Sequence, residues 1–188
     1  MDLLETKRLI LRELRQSDAQ RIYLYANDRD INRYLIFDDL GSEAGANKYV
    51  KKAMASASTD ANIKGNRRLS YKLAVLLKPE RDFIGSCWLD ITDTTHSRAS
   101  IGYFIDHMEW GKGYATETVQ ALLKYGFETL KLHRIEATCD ADHQATRRVL
   151  EKAGLKREAR LRQNRPRENV PNPQAWTDSC LYAILESG

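Results

Sequence analysis

The chain has 188 residues, enough for one ordinary domain and short of what two usually need. With 42% hydrophobic and 30% charged residues it can bury a core, which excludes a wholly disordered chain. Residues 73–77 are one of its longest apolar stretches, far below the roughly 20 a membrane helix needs, and the first residues lack a secretory profile, so a cytoplasmic protein with no membrane partner is expected.

Residues 8–14 mix apolar and charged positions as a strand does. Ser17 and Gln20 have capping-box spacing, which predicts a helix through Tyr25. Ser42 is placed to cap a second helix, with Tyr49, Val50, Ala53, Met54 and Ala57 recurring at helical spacing. The polar residues 58–68 read as a loop. Three short runs follow, 69–77, 83–91 and 99–105, and their spacing predicts an antiparallel meander. Val119, Leu122, Leu123, Gly126, Phe127 and Leu130 form the stripe of a long third helix. Residues 134–139 alternate as a strand, and 145–153 form a short helix that Gly154 closes. Residues 160–175 hold three of the four prolines and are expected to be irregular, before a last strand over 178–185. The order β-α-α-β-β-β-α-β-α-β predicts an α/β fold with a mixed sheet.

Cys87, Cys139 and Cys180 are widely spaced and include no C-x-x-C pair, so neither a disulfide framework nor a zinc ribbon is expected. No two histidines have metal-ligand spacing on a shared face, and no metal is expected; His107 and His133 read as structural or surface residues. The net charge of +4 is matched by residues 156–168 alone, with six basic and two acidic side chains. That run fits a solvated loop or a site for an anionic ligand. It lacks an aromatic stacking platform, which argues against nucleic acid.

The segment richest in chemistry is 101–117, IGYFIDHMEWGKGYATE. An apolar strand runs into Gly111-Lys112-Gly113, which opens the long helix. Glycines there permit unusual dihedrals and a close ligand approach, and the first helical N–H groups can bind an anion. A plain tight turn accounts for the same residues. The segment lacks the third glycine of a dinucleotide fingerprint and the G-K-[ST] of a Walker A loop.

Six segments, in order and at these distances, resemble the GNAT N-acetyltransferase family, in the branch containing ribosomal-protein alanine N-acetyltransferases. They are Glu5-Thr6-x-Arg8-Leu9-x-Leu11-Arg12, Ile84-Gly85, Ile101-Gly102-Tyr103, Trp110-Gly111-Lys112-Gly113-Tyr114-Ala115-Thr116-Glu117, Val149-Leu150-Glu151-Lys152-x-Gly154 and Trp176-x-Asp178. The resemblance implies one N-acetyltransferase domain over residues 1–188, with a mostly antiparallel central sheet and helices on both faces. It implies acetyl-CoA as co-substrate against the strand ending at Phe104 and Ile105, with its pyrophosphate on the turn formed by Trp110, Gly111, Lys112, Gly113, Tyr114, Ala115 and Thr116. Pantetheine would fill a gap between that strand and the one over 134–139. The second half-site, usually N-x-A-S, reads His143-Gln144-Ala145-Thr146, so Thr146 keeps a hydroxyl for the thiol end while His143 replaces an asparagine. Leu150 stands where many relatives carry a tyrosine acid.

Acetyl transfer to an amine needs a deprotonated amine, a donor for the oxyanion and a departing thiolate. An α-amine, with a reference pKa of ≈ 7.7–8.0, needs only modest help, whereas a lysine near 10.4 needs more. The oxyanion donor implied is a backbone N–H around Ile105. Asp90, at the end of Cys87-Trp88-Leu89-Asp90, is the candidate base, and a turn-ordering carboxylate is its structural alternative. Tyr34, Phe37, Trp88 and Trp176 are candidates to line the acceptor cleft, built from segments 29–40 and 160–176, with Asp38 and Asp39 facing a cationic amine. The acceptor expected is a protein or peptide N-terminus, attacked directly in a ternary complex by a monomer or homodimer. The alternatives are a small amine, as in antibiotic or polyamine acetylation, and a CoA-binding module without turnover.

Overall fold

The computed structural model describes residues 2–32, 40–58, 63–64, 67–166 and 176–186. The chain opens with strands β1 (Asp2–Glu5) and β2 (Leu9–Glu13). A 3-10 turn, Gln16–Asp18, then leads into helices α1 (Ala19–Ala26), α2 (Arg29–Asn32) and α3 (Glu43–Ser58). A small separate pair, β3 (Ile63–Lys64) and β4 (Arg67–Arg68), precedes the meander β5 (Ser70–Leu77), β6 (Asp82–Asp93) and β7 (Arg98–Ile105). Helix α4 (Tyr114–Lys124) runs on through a π-helical turn, Tyr125–Thr129. Strand β8 (Arg134–Asp140), helix α5 (Gln144–Lys152) and strands β9 (Lys156–Pro166) and β10 (Trp176–Leu185) complete the chain.

The main sheet has the order β1-β2-β5-β6-β7-β8-β10-β9. Every pairing is antiparallel except β7 with β8. Successive residues of a strand point to opposite faces, and the core divides accordingly. Leu11, Val75, Leu89 and Ile135 pack with Val119 and Leu122 of α4 and Leu150 of α5. Ile10, Ala74, Leu76 and Phe104 pack on the other face with Ile22 of α1 and Val50 and Ala53 of α3. Each large aliphatic buried this way contributes about 1.5–3 kcal/mol, so both faces of the central strands are committed to helix packing.

Local details differ from the sequence reading in three places. The 3-10 turn that leads into α1 is fixed by Asp18, and no Ser17–Gln20 box caps the helix: Asp18 Oδ2 accepts from the backbone N–H of Arg15 at 2.7 Å, and Arg12 reaches both carboxylate oxygens at 2.7 and 2.8 Å. Strand β1 and the pair β3–β4 extend the predicted element order. The expected irregularity from residue 160 is also corrected, because β9 continues to Pro166 and pairs with β10 from Ala183↔Lys156 to Trp176↔Pro166. This edge strand is charged on both faces, so no apolar alternation marks it, yet its backbone bonds need none. Ser42 does cap α3, accepting from Gly45 N–H at 3.0 Å. All three cysteines are buried free thiols. No helix among the described residues is long and apolar enough to cross a membrane.

Candidate active site

The parallel pair β7–β8 holds together only at Arg98↔Arg134, Ala99↔Ile135 and Ser100↔Glu136. Beyond those positions the strands part, and a cleft of about 440 Å³ opens between them. Hydrogen-bond phase shows what faces it. Asp106 N–H donates to Ile84 O, so on β7 the even-numbered residues bond to β6 and the backbone groups of Ile101, Tyr103 and Ile105 turn toward the cleft. On β8, Ala141 N–H donates to Asp178 O, which leaves Thr138 and Asp140 turned to the same gap. Polar backbone exposed this way is a template for an extended ligand that adds as a strand.

The mouth of the cleft is the turn before α4. Gly111 and Gly113 have φ of 77° and 84°, a region that side-chain-bearing residues avoid. The first i→i−4 bond of α4 runs from Glu117 N–H to Gly113 O, so the N–H groups of Tyr114, Ala115 and Thr116 have no helical acceptor. All three residues line the cleft. Glu117 braces the turn from behind. Its carboxylate accepts from Thr6 Oγ1 at 2.6 Å, Arg8 N–H at 2.9 Å and Arg8 Nε at 2.7 Å. Arg8 also donates to Lys112 O at 2.9 Å and lies over the Tyr114 ring. Burial raises the Glu117 pKa, but the bonds from Thr6 and Arg8 outweigh it and hold the carboxyl below its ordinary value.

Of the residues singled out from sequence, Trp88, Phe104, Ile105, Trp110, Gly111, Gly113, Tyr114, Ala115, Thr116, His143 and Thr146 line this one cleft. The Trp110 indole donates to Ile105 O at 2.8 Å, tying the turn to the strand end. The Trp88 ring lies so close over Gly102 that a Cβ there would stand 2.0 Å from it. Lys112 is not a lining residue; its ammonium pairs with Glu109 at 2.9 Å. Asp90 is not among the residues that line the cleft: Ser70 Oγ donates to it at 2.6 Å and Lys72 stands 3.7 Å away, so it ties β5 to β6. Trp176 lies on β10, 57% exposed, and does not line the cleft. Tyr34, Phe37, Asp38 and Asp39 fall outside the described residues.

Several lining residues had no site role assigned from sequence. Tyr103 points to the α4/α5 side, within hydrogen-bonding reach of Thr146, whose Oγ1 lies 2.9 Å from His143 Nδ1. Asp140 accepts from Arg165 at 2.9 Å and from Thr177 at 3.1 Å, so part of the basic run closes one side of the cleft. Arg148 and Lys152, one turn apart on α5, add two cations to the wall. Cys139 lines it too, but burial pushes its thiol up to about 12. The i, i+4 spacing of Arg148 and Lys152 is a local signal, whereas the contacts of Tyr103 with Thr146 and of Asp140 with Arg165 and Thr177 join residues distant in sequence. His107 pairs with Asp28 at 2.6 Å, and His133 is exposed. No cluster of three or more potential metal ligands occurs among the described residues.

A model of the acetyltransferase (GNAT) domain matches residues 8–156. The chain is 33% identical over 181 residues to the uncharacterized N-acetyltransferase YnaD of Bacillus subtilis (strain 168), covering 96% of this chain and 95% of that one. A GNAT-family acetyltransferase structure from Bacillus anthracis superposes with a TM-score of 0.79 at 30% identity, over 98% of this chain and 99% of that one. At 20% identity the ribosomal-protein-S5-alanine acetyltransferase of Vibrio fischeri shares the fold, with a TM-score of 0.78 over 97% of this chain and 96% of that one.

Proposed function

The chain belongs to the GNAT acetyltransferase family and is an acetyl-CoA-dependent acyltransferase, and from that premise we propose that residues 1–188 act as one domain on the primary amine of a protein or peptide N-terminus. The observation that carries the reading is the parting of β7 from β8 beside a braced turn of free helical N–H groups. These residues suit acetyl-CoA. Two glycines of positive φ leave the turn open, and a Cβ built at Gly111 meets nothing within 4 Å. The Gly111–Thr116 segment would hold the pyrophosphate, with Arg148 and Lys152 as nearby cations for phosphate. The backbone of Tyr103 would pair with pantetheine.

When bound, acetyl-CoA supplies a thioester activated toward amines. The Ile105 N–H, turned to the cleft, is the proposed donor to the developing oxyanion. Phe104 and Trp88 exclude water on the acceptor side, where Asp30 and Ile31 complete the wall. An α-amine near neutral pH is in appreciable part already unprotonated, so its attack needs no strong base. Asp90, bound to Ser70 away from the cleft, is therefore not assigned that role. Cys139 is the one cysteine on the wall among the described residues, and a thiol at about 12 is ionised to only about one part in 10⁵ at pH 7. That favours direct transfer in a ternary complex over an acetyl-cysteine route.

The test is acetyl-CoA turnover against matched peptides with free and blocked N-termini, alongside polyamines and aminoglycosides. Thiol release and an added acetyl mass confined to free N-termini are the expected result. Acetylation of the small amines alone overturns the acceptor assignment.

A further inference from the structure

Strand β9 bends before it reaches the cleft. Between the pairs Ser179↔Leu161 and Thr177↔Arg165 it advances four positions where β10 moves two, so it carries a bulge. Gln163 takes φ of 46° inside that bulge. The Asp178 carboxylate pins it, accepting from Gln163 N–H at 2.9 Å and Arg160 Nε at 2.7 Å. A bulge re-aims the side chains that follow it. Arg157, Arg160 and Arg162 come before Gln163 and do not line the cleft, whereas Arg165, just beyond it, does.

Asp140 anchors the Arg165 guanidinium. One of its oxygens accepts from Arg165 Nη2 at 2.9 Å and Thr177 Oγ1 at 3.1 Å, and the other from Asp142 N–H at 2.8 Å. Burial raises the Asp140 pKa, but the bonds from Asp142, Arg165 and Thr177 outweigh it and hold the carboxyl below its ordinary value. Of the five N–H donors of Arg165, one is used in this way among the described residues, and its Nε is buried with no partner. On β8, Asp140 alternates with Ala137 and Cys139, which pack with α4 and α5, so its side chain stands on the opposite face of the sheet. Phe104 packs on that same face, the acceptor side of the cleft.

A guanidinium donates and never accepts, and Asp140 already balances the charge of this one. Fixed in place and neutralised, it suits an uncharged oxygen better than a free anion. A polyamine, whose ammonium groups only donate, has nothing to offer it. A peptide N-terminus carries a carbonyl oxygen beside the reacting amine. Resting on the acetyl-transfer reading above, we propose that Arg165 selects peptide acceptors by donating to the carbonyl oxygen of the residue that bears the reacting amine. Asp140 and Thr177 are the positioning residues that hold it there.

The experiment pairs a change in the protein with a change in the acceptor. The acceptors are the free-N-terminus peptide that turns over fastest in the test above, its analogue with an (E)-alkene in place of the first peptide bond, and the matching ester, which keeps the carbonyl oxygen and drops the N–H. The unaltered protein is expected to favour peptide and ester over alkene by about tenfold in kcat/KM, the size of one charge-assisted bond. Arg165→Lys keeps a counter-charge for Asp140 but loses the planar fork. It is expected to bring peptide and ester down to the level of the alkene, with the alkene and the KM for acetyl-CoA held within about twofold. An arginine that served structure alone would lower all three acceptors alike in the variant, and that result overturns the proposal. Equal use of peptide and alkene by the unaltered protein overturns it whether or not the variant folds. An ester used no better than the alkene gives the preference to the N–H and overturns it too. So does a raised KM for acetyl-CoA with the peptide-to-alkene ratio unmoved, which gives the guanidinium to the cofactor. Turnover of no free-N-terminus peptide at all removes the N-terminal acceptor reading itself, and this proposal with it.

Discussion

Glu117 joins the two ends of the site's framework through a single carboxylate. Its partners Thr6 and Arg8 lie more than a hundred residues away, which is why W-G-K-G-Y-A-T-E reads in sequence as a turn and helix start and not as a brace. Because the folded pKa lies below the unfolded value of ≈ 4.3, the carboxylate contributes stability that is complete above that value and lost as pH falls through the folded pKa. Glu117→Gln is therefore expected to lower stability by about 1.5–3 kcal/mol at pH 7. The difference from the unaltered protein should shrink when denaturant melts are repeated at pH 3. A gap that persists at pH 3 would show that shape, and not charge, carries the brace. Thr146 of α5 and Tyr103 of β7 show the same limit: both residues stand in the motifs, but their nearness is set by the fold and not by local sequence.

Elements with a strong period were the most legible. The meander β5–β6–β7 and helix α4 fall within a few residues of their predicted spans, because alternating burial and a helical apolar stripe are local signals. Strand β9 carried no such signal, since its order comes from backbone pairing with β10 and from cross-strand ion pairs such as Arg160–Asp178 at 2.7 Å. The start of α1 depends on a tertiary contact for the same reason. Arg12 of β2 and Asp18 form a pair with side chains only 8% and 6% exposed, and Asp18 also holds the Arg15 N–H. Asp18→Asn leaves a buried guanidinium without its counter-charge, a loss of about 3–5 kcal/mol. For a chain of this size that corresponds to a melting point roughly 6–20 °C lower. A drop below about 2 °C in calorimetry would mean that water replaces the pair.

At the scale of the molecule, the sheet breaks its pairing at one parallel step, between β7 and β8, and both of its faces are sealed by helices around that step. The order of elements already implied a mixed sheet, whereas the splay itself was implied only by the family resemblance, because local sequence does not report where two paired strands separate. The cleft wall then gathers residues from β6, β7, β8, β9, α4 and α5, a convergence that only the closed fold reveals. Segment 33–39, to which the sequence reading assigned part of the acceptor cleft, lies outside the described residues. That this opening is an acetyl-CoA site is checked by thermal unfolding with and without acetyl-CoA. At a hundredfold excess over Kd the ligand should stabilise the fold by about 2.7 kcal/mol, a rise of roughly 5–11 °C. Gly113→Glu, which places a side chain at φ of 84° and a negative charge at the turn, should fold and abolish the rise. No rise in the unaltered protein at millimolar acetyl-CoA, or an equal rise in the Gly113→Glu variant, would contradict it.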